Sequence, residues 1–154
     1  MNDPLLTELQ ETLHCEMPIS AAMGIRVEPS DVSRLAMSMP LEENRNHQFT
    51  AFAGSLNALC TVVGWGTVYL MLRRRGLDGN IVIHRSTIKY RLPVHDRLIV
   101  ARAVALPAEE IDYFFDLLDE KGQSKLDVTV EIPGETETLV IFRGSYVVLD
   151  ASTS

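Results

Sequence analysis

The sequence has little cysteine and no excess of positive charge, and both shortages narrow its possible functions. The two cysteines, Cys15 and Cys60, are far apart and form neither a CxxC pair nor a metal-type Cys/His spacing. We therefore expect no disulfide framework, no metal and no other cofactor, and a reducing cytoplasm as the compartment. The net charge of −7 argues against nucleic acid as a partner, because nucleic-acid-binding proteins neutralise phosphates with basic patches.

Features that would direct the chain to a membrane are also scarce. The N-terminus lacks a basic stretch followed by an apolar one, so no signal peptide is predicted. The apolar run 56–72 is at the short end of the roughly 17–25 residues that a membrane span needs, and it contains the polar Asn57 and Thr61. A helix buried inside a protein is therefore predicted, and no membrane partner is expected.

What the chain does contain is enough apolar material for one core. It has 154 residues, of which 46% are hydrophobic and 23% are charged. This length and balance are typical of a single soluble domain, here covering residues 1–154.

The order of helix and strand signals predicts the architecture. Asp3 and Pro4 are typical of a helix start, and Gly76 is typical of the end of the long apolar helix. A hairpin turn is predicted at 93–96, another at 133–135, and a turn at 30–33. The predicted helices are 4–18, 54–75 and 107–121, and the predicted strands are 24–28, 34–41, 81–90, 97–106, 123–132 and 138–149.

One long apolar helix among antiparallel strands indicates an α+β fold. No other predicted element is large enough to cover the helix on most sides. The sheet is therefore expected to wrap around it.

Four stretches of the sequence support a more specific interpretation. Residues 44–55 (NRNHQFTAFAGS) resemble the loop and helix start of hotdog-fold thioesterases, and 64–66 (GWG) fits the central helix. Residues 79–83 (GNIVI) and 88–94 (IKYRLPV) fit the strand that follows. In this order they resemble the thioesterase family typified by the YiiD C-terminal domain, over nearly the whole chain.

The resemblance implies a hotdog homodimer or dimer of dimers that acts on an acyl-CoA or acyl-carrier-protein thioester. The acyl chain would enter a groove between subunits, with its carbonyl at the start of the central helix. Two positions depart from the common hotdog pattern. Phe52 stands where many such enzymes have histidine, and Thr61 stands where many have an acid; the chain has no acid between Gly54 and Arg75.

The helix start supplies the predicted catalytic groups. The N–H groups of Gly54 and Ser55 are expected to lack helical partners and to polarise the carbonyl. Asn46 could hold a water or the thioester, or could bond its own loop. Thr61 could orient the water from the facing subunit, or could bond the carbonyl one turn back. His47 has a side chain suited to general base chemistry, or is a solvated loop residue.

Substrate binding is assigned to four further residues, Thr50, Phe52, Lys89 and Arg91. The two cations alternate with Tyr90 on one strand and could hold coenzyme A phosphates, or could be solvated. Three functions remain open at this point: an acyl thioesterase, a non-catalytic acyl-thioester-binding or dimerisation module, and a dehydratase of hydroxyacyl thioesters. The thioesterase is favoured, and Phe52 and Thr61 argue against the dehydratase.

Overall fold

The computed structural model describes residues 3–31 and 34–153. The order of helices and strands along the chain follows the predicted order, with an additional short helix after α1. The helices are α1 (Pro4–Glu16), α2 (Pro18–Ala22), α3 (Ala53–Arg74) and α4 (Ala108–Lys121), with a short 3-10 helix at Glu42–Asn44. The strands are β1 (Arg26–Val27), β2 (Ala36–Pro40), β3 (Leu77–Tyr90), β4 (Leu98–Ala103), β5 (Ser124–Pro133) and β6 (Thr138–Thr153).

Helix α1 begins where its capping residues predict. The Asp3 side chain accepts a hydrogen bond from the Leu5 N–H at 2.9 Å, and Pro4 occupies the first turn, where its missing N–H costs nothing. Leu9 and Leu13 are fully buried. Helix α1 therefore lies on the domain through its apolar face.

Helix α3 is the core of the domain. It packs against β2, β3, β4, β5 and β6, so the sheet curls around it. By length and mean hydropathy (1.4) it could cross a membrane, but ten of its residues are buried inside the fold. It ends at Arg74, and Gly76, just after the capping residue Arg75, has a φ of +66° that suits glycine. The predicted α+β hotdog architecture, with an antiparallel sheet around one long helix, is confirmed.

The sheet order is β1-β2-β4-β5-β6-β3. The hairpin predicted at 93–96 is therefore wrong, because β3 pairs with β6, whereas β4 pairs with β2 and β5. Val94 is buried, and its carbonyl accepts the Ala51 N–H at 2.7 Å. This contact holds the segment against the loop that precedes α3, so the chain crosses the fold instead of turning back.

The other turn predictions have mixed outcomes. The hairpin at 133–135 is confirmed by the antiparallel pairing of β5 with β6. The turn at 30–33 rests partly on residues 32 and 33, which lie outside the described residues. Strand β6 continues to Thr153, beyond the predicted end at Leu149, because its last residues pair with the start of β3.

A glycine in the middle of α3 sets how closely the sheet approaches the helix. A Cβ added to Gly64 would overlap the hydroxyl oxygen of Tyr146. Tyr146 is almost fully buried, and its hydroxyl donates to the Thr61 carbonyl at 2.6 Å. The ring therefore has little room to move away from a methyl group at position 64.

We predict that Gly64→Ala destabilises the fold by about 1–3 kcal/mol, the usual cost of overpacking a core. Helix propensity alone predicts the opposite sign, since alanine is favoured over glycine by about 1 kcal/mol in a helix interior. Thermal unfolding distinguishes the two expectations, because the midpoint temperature shifts by about 2–4 °C for each kcal/mol of stability. An unchanged or higher midpoint would contradict the packing of Tyr146 on Gly64.

Candidate functional site

The loop that leads into α3 is organised by Asn46. The side-chain oxygen of Asn46 accepts the N–H groups of Gln48 and Thr50 at 2.9 and 3.2 Å. Its amide nitrogen donates to the Thr50 hydroxyl at 2.9 Å. The structure thus brings Asn46 and Thr50 together, in the loop-bonding role that was one of the two interpretations of Asn46.

A buried asparagine anchors the same loop to the domain. Asn44 is 2% exposed, and its amide nitrogen donates to the carbonyls of Met23 and Pro40, each at 2.8 Å. Its own carbonyl accepts the Phe52 N–H at 2.8 Å. These bonds fix the place where α3 begins.

Phe49 extends from this loop into solvent. It has a φ of +62°, which a non-glycine residue rarely adopts, and 66% of its surface is exposed. The Arg45 guanidinium lies 4.7 Å from the ring centroid. Sequence reasoning did not single out Phe49, because left-handed backbone at a phenylalanine has no pattern in the sequence.

The first turn of α3 exposes backbone donors. The Phe52 carbonyl accepts the Ser55 N–H at 3.0 Å, so the prediction that this N–H lacks a helical partner is wrong. The tight first turn brings that carbonyl within reach of Ser55 as well as Leu56. Within residues 3–31 and 34–153, the N–H groups of Ala53 and Gly54 make no hydrogen bond. They lie at the positive end of the helix dipole, where negative charge is stabilised.

Two aromatic rings flank these donors. A Cβ added to Gly54 would lie 2.5 Å from the Phe52 ring, so a side chain here would displace that ring. The Tyr90 hydroxyl donates to the Ala53 carbonyl at 3.2 Å. Phe52 and Tyr90 are about half exposed, at 55% and 46%. Tyr90 is thus a further residue of the site. From the sequence it was noted only as the residue between the cations Lys89 and Arg91.

Thr61 lies two turns further along the helix. Its hydroxyl donates to the Asn57 carbonyl at 2.8 Å, the bond to the preceding turn that was the alternative to a catalytic role. The Asn57 side-chain oxygen is 3.4 Å from the same hydroxyl. Asn57 and Thr61 share one helix face with Gly54, at spacings of three and four residues. That spacing was the signal by which the sequence could have identified Asn57.

The remaining predicted residues are not gathered at the helix start. His47 is exposed and makes no side-chain hydrogen bond or ion pair with the described part of the chain. Tyr90 points toward α3, so strand alternation directs Lys89 and Arg91 to the opposite face. Arg91 lies 3.9 Å from Glu137.

The buried titratable groups near the site are held neutral. Burial raises the pKa of Cys60 to about 12, and burial together with Cys60 raises the pKa of Tyr146. Cys60 is therefore a packed thiol and not a nucleophile. Among residues 3–31 and 34–153, no group of three or more His, Cys, Asp or Glu side chains is placed to hold a metal ion.

Comparison with known proteins identifies the family. Residues 6–150 match the family model YiiD_C, described as "Putative thioesterase (yiiD_Cterm)". The chain belongs to this thioesterase family. The match covers the loop at 44–55, the whole of α3 and all six strands almost to their ends.

Solved structures of similar chains have the same fold. A protein of unknown function from Chlorobaculum tepidum TLS is 32% identical, with 94% of each chain covered and a TM-score of 0.90. A protein named as a "putative thioesterase" from Shewanella oneidensis is 29% identical over 96% of this chain and 99% of that one, with a TM-score of 0.86. A probable thioesterase from Pseudomonas aeruginosa shares the fold at 19% identity, 93% and 94% coverage and a TM-score of 0.77.

The environment of Cys60 leads to a prediction about its reactivity. Cys15 is exposed and Cys60 is buried, so we expect DTNB to modify one thiol per chain at pH 8 and two after unfolding. Because the pKa of Cys60 rises from 9.0 to about 12 in the fold, its contribution to stability is lost as the pH rises through that interval. Rapid modification of both thiols in the native protein would contradict the burial of Cys60.

Proposed function

We propose that the protein is an acyl-CoA thioesterase whose reaction takes place at the N-terminus of α3. The observation that carries this proposal is the pair of unbonded N–H groups of Ala53 and Gly54 at the start of a long helix. Donors in this position stabilise the negative charge that develops on the carbonyl oxygen when a thioester is attacked. Membership of a thioesterase family supports the same chemistry.

In the proposed step a water oxygen bonds to the thioester carbonyl carbon. The carbonyl oxygen becomes an oxyanion at the Ala53 and Gly54 N–H groups. The C–S bond then breaks, the carboxylic acid forms, and the thiolate leaves and takes up a proton. On the facing subunit, the Thr61 hydroxyl or the Asn57 side-chain oxygen can accept one hydrogen of that water, since each oxygen has a free lone pair. We keep His47, an exposed loop residue, as the predicted acceptor of the water's other hydrogen as a proton, which His47 then passes to the leaving thiolate.

Lys89 and Arg91 remain our predicted contacts for the coenzyme A phosphates, with Thr50 and Phe52 beside the thioester. The acidic surface, with a net charge of −7, favours coenzyme A over an acidic carrier protein as the thiol. A coenzyme A substrate also agrees with a cytoplasmic location, which forms part of this proposal.

We further propose that the active unit is a homodimer formed along β3. This strand has 14 residues and lies at the end of the sheet, where β6 is its one partner strand among residues 3–31 and 34–153. Val82 and Ile83 are 45% and 39% exposed. A long edge strand with exposed apolar residues is a template for pairing with another chain. Pairing of β3 with β3 of a second copy would place His84 and Arg85 at the seam.

A non-catalytic binder of acyl thioesters is the second candidate. It is favoured by one observation: α3 carries no Asp or Glu, so no carboxylate lies on the helix beside Gly54. Such a protein would keep the polarising N–H groups without a strong base.

Two substitutions at one position test the oxyanion donors. Gly54→Pro removes the N–H, and proline is tolerated in the first turn of a helix. Gly54→Ala keeps the N–H and introduces a similar contact with the Phe52 ring. We expect kcat of Gly54→Pro to fall about 10²–10³-fold below that of Gly54→Ala, the usual effect of one oxyanion donor. The assay is free thiol release from acyl-CoAs of graded chain length.

Equal turnover in the two variants would contradict the oxyanion role. Saturable acyl-CoA binding without any thiol release from the unmodified protein would instead identify the non-catalytic binder. Failure with both coenzyme A and carrier-protein thioesters would exclude the enzyme.

The water-holding role of Thr61 is tested by hydroxyl replacement. We expect Thr61→Val to lower kcat at least about tenfold, because it keeps the shape and removes the hydroxyl that holds the water. Thr61→Ser restores the hydroxyl and should keep most of the activity. Asn46→Ala should lower kcat/KM by disordering the loop that positions Gly54. Similar kcat values for Thr61→Val and Thr61→Ser would show that the hydroxyl only bonds the helix.

The dimer is tested at its proposed seam. Val82→Asp places a charge on the exposed side of β3, so sedimentation velocity should show a shift from dimer to monomer, with loss of thiol release. The matched control is Ile19→Asp, since Ile19 on α2 is 70% exposed and remote from β3. A monomeric unmodified protein, or a Val82→Asp dimer with full activity, would contradict the proposal.

A further inference from the structure

A cavity lies at the opposite end of α3 from the proposed thioester site. It is a cleft of about 260 Å³, open to solvent on one side, between the C-terminal half of α3 and α4. Its walls are almost entirely apolar and include Leu70, Met71, Leu106, Ile111 and Phe115. Protein interiors rarely contain voids larger than a water molecule. A cavity of about 150 Å³ lined by such side chains is known to stay dry and to bind a hydrocarbon. This larger cleft therefore suits an alkyl chain.

The arginines at the mouth of the cleft indicate which polar group a ligand would carry at the end of its alkyl chain. Arg73 is paired with Glu8 and Asp78 at 2.9 and 3.0 Å, and Arg74 contacts Asp3 at 3.4 Å. Arg75, at the same helix end, makes no ion pair with any residue in 3–31 or 34–153.

The Arg75 guanidinium is held in place at the cleft. It stacks on the Phe115 ring at 3.7 Å from the centroid, and both residues line the cleft. Stacking leaves the edges of a guanidinium available as donors, and those donors fit a carboxylate in a bidentate arrangement.

Nearby acids limit how much negative charge the site can accept. Asp116 and Asp119 line the hollow on the other side of Phe115 and Arg75. Because Arg75 lines that hollow too, the several phosphates of coenzyme A at Arg75 would be repelled by these two acids more than a single carboxylate would be. The charges favour a monoanion over a thioester of coenzyme A.

The cleft is separate from the site proposed above. Gly54 and Arg74 are 20 residues apart on one helix, which corresponds to about 30 Å at 1.5 Å per residue. A ligand held at Arg75 therefore does not occupy the helix start.

We propose that this cleft binds a free medium-chain fatty acid, with its alkyl chain between α3 and α4 and its carboxylate on Arg75. The ligand class follows from the apolar walls, the unpaired guanidinium and the adjacent acids. The site is independent of the thioester reaction, and it requires no chemistry at the ligand.

The test is calorimetric titration of the full chain with decanoate below its micellar concentration. We expect saturable binding that Arg75→Gln weakens about tenfold, the factor for loss of a charge-assisted hydrogen bond. The matched control is Arg97→Gln, because Arg97 is exposed at the far end of β4 from the cleft. Binding of decanol, which lacks the carboxylate, should be the same in Arg75→Gln as in the unmodified protein.

Two variants fill the cleft in different ways. Ile111→Trp enlarges the α4 wall and Met71→Phe enlarges the α3 wall, and each should abolish decanoate binding while the melting transition and thiol release persist. Absence of saturable decanoate binding, equal affinity in Arg75→Gln and the unmodified protein, or undiminished binding in both filled variants would each overturn the proposal. Competition between decanoate and an acyl-CoA for one site would overturn the proposal that the cleft is separate from the thioester site.

Discussion

The whole architecture depends on covering one apolar helix of 22 residues. The backbone of α3 satisfies its own hydrogen bonds, but its side chains are apolar around most of its circumference and must be removed from water. Five strands approach it, and Gly64 lets the sheet come close enough for Tyr146 to bond the helix backbone. A sheet that contacts one helix from so many strands has to curl. The two ends of the helix are then the places where polar backbone and charged side chains reach the surface.

The two ends have opposite electrostatics and different chemistry. At the N-terminus, unbonded N–H groups and the positive end of the helix dipole face solvent between the rings of Phe52 and Tyr90. At the C-terminus, three consecutive arginines balance the negative end of the dipole. Arg73 pairs with carboxylates of α1 and β3, Arg74 pairs with the α1 capping residue Asp3, and Arg75 stacks on α4. One helix thus presents a site for developing negative charge at one end and a guanidinium beside an apolar cleft at the other.

The chemistry proposed at the helix start relies mainly on backbone groups and neutral side chains. Asn44 and Asn46 shape the loop, the N–H groups of α3 polarise, and Thr61 and Asn57 offer acceptor oxygens. None of these groups requires an unusual pKa, and the buried Cys60 is kept protonated by its surroundings. Polarisation by a preorganised backbone is the largest single term in many enzymes, so the site proposed here does not require an acid on the central helix.

The sequence by itself determined the elements whose signals are local: the Asp3-Pro4 helix start, the glycine stop at 76, the 133–135 hairpin and the apolar length of α3. It also determined the family, because the motif at 44–55 and the order of the later motifs are linear features. Strand order was decided only by tertiary structure. The turn residues at 93–96 have hairpin chemistry, yet burial of Val94 against Ala51 draws the segment across the fold. Tertiary structure also decided several contacts at the two ends of α3. These are the hydrogen bond of the Ser55 N–H, the exposure of Phe49, the contact of Tyr90 with Ala53, and the absence of an ion pair at Arg75 among the described residues. Each depends on which distant residue lies within a few ångströms, and no spacing along the chain encodes that distance.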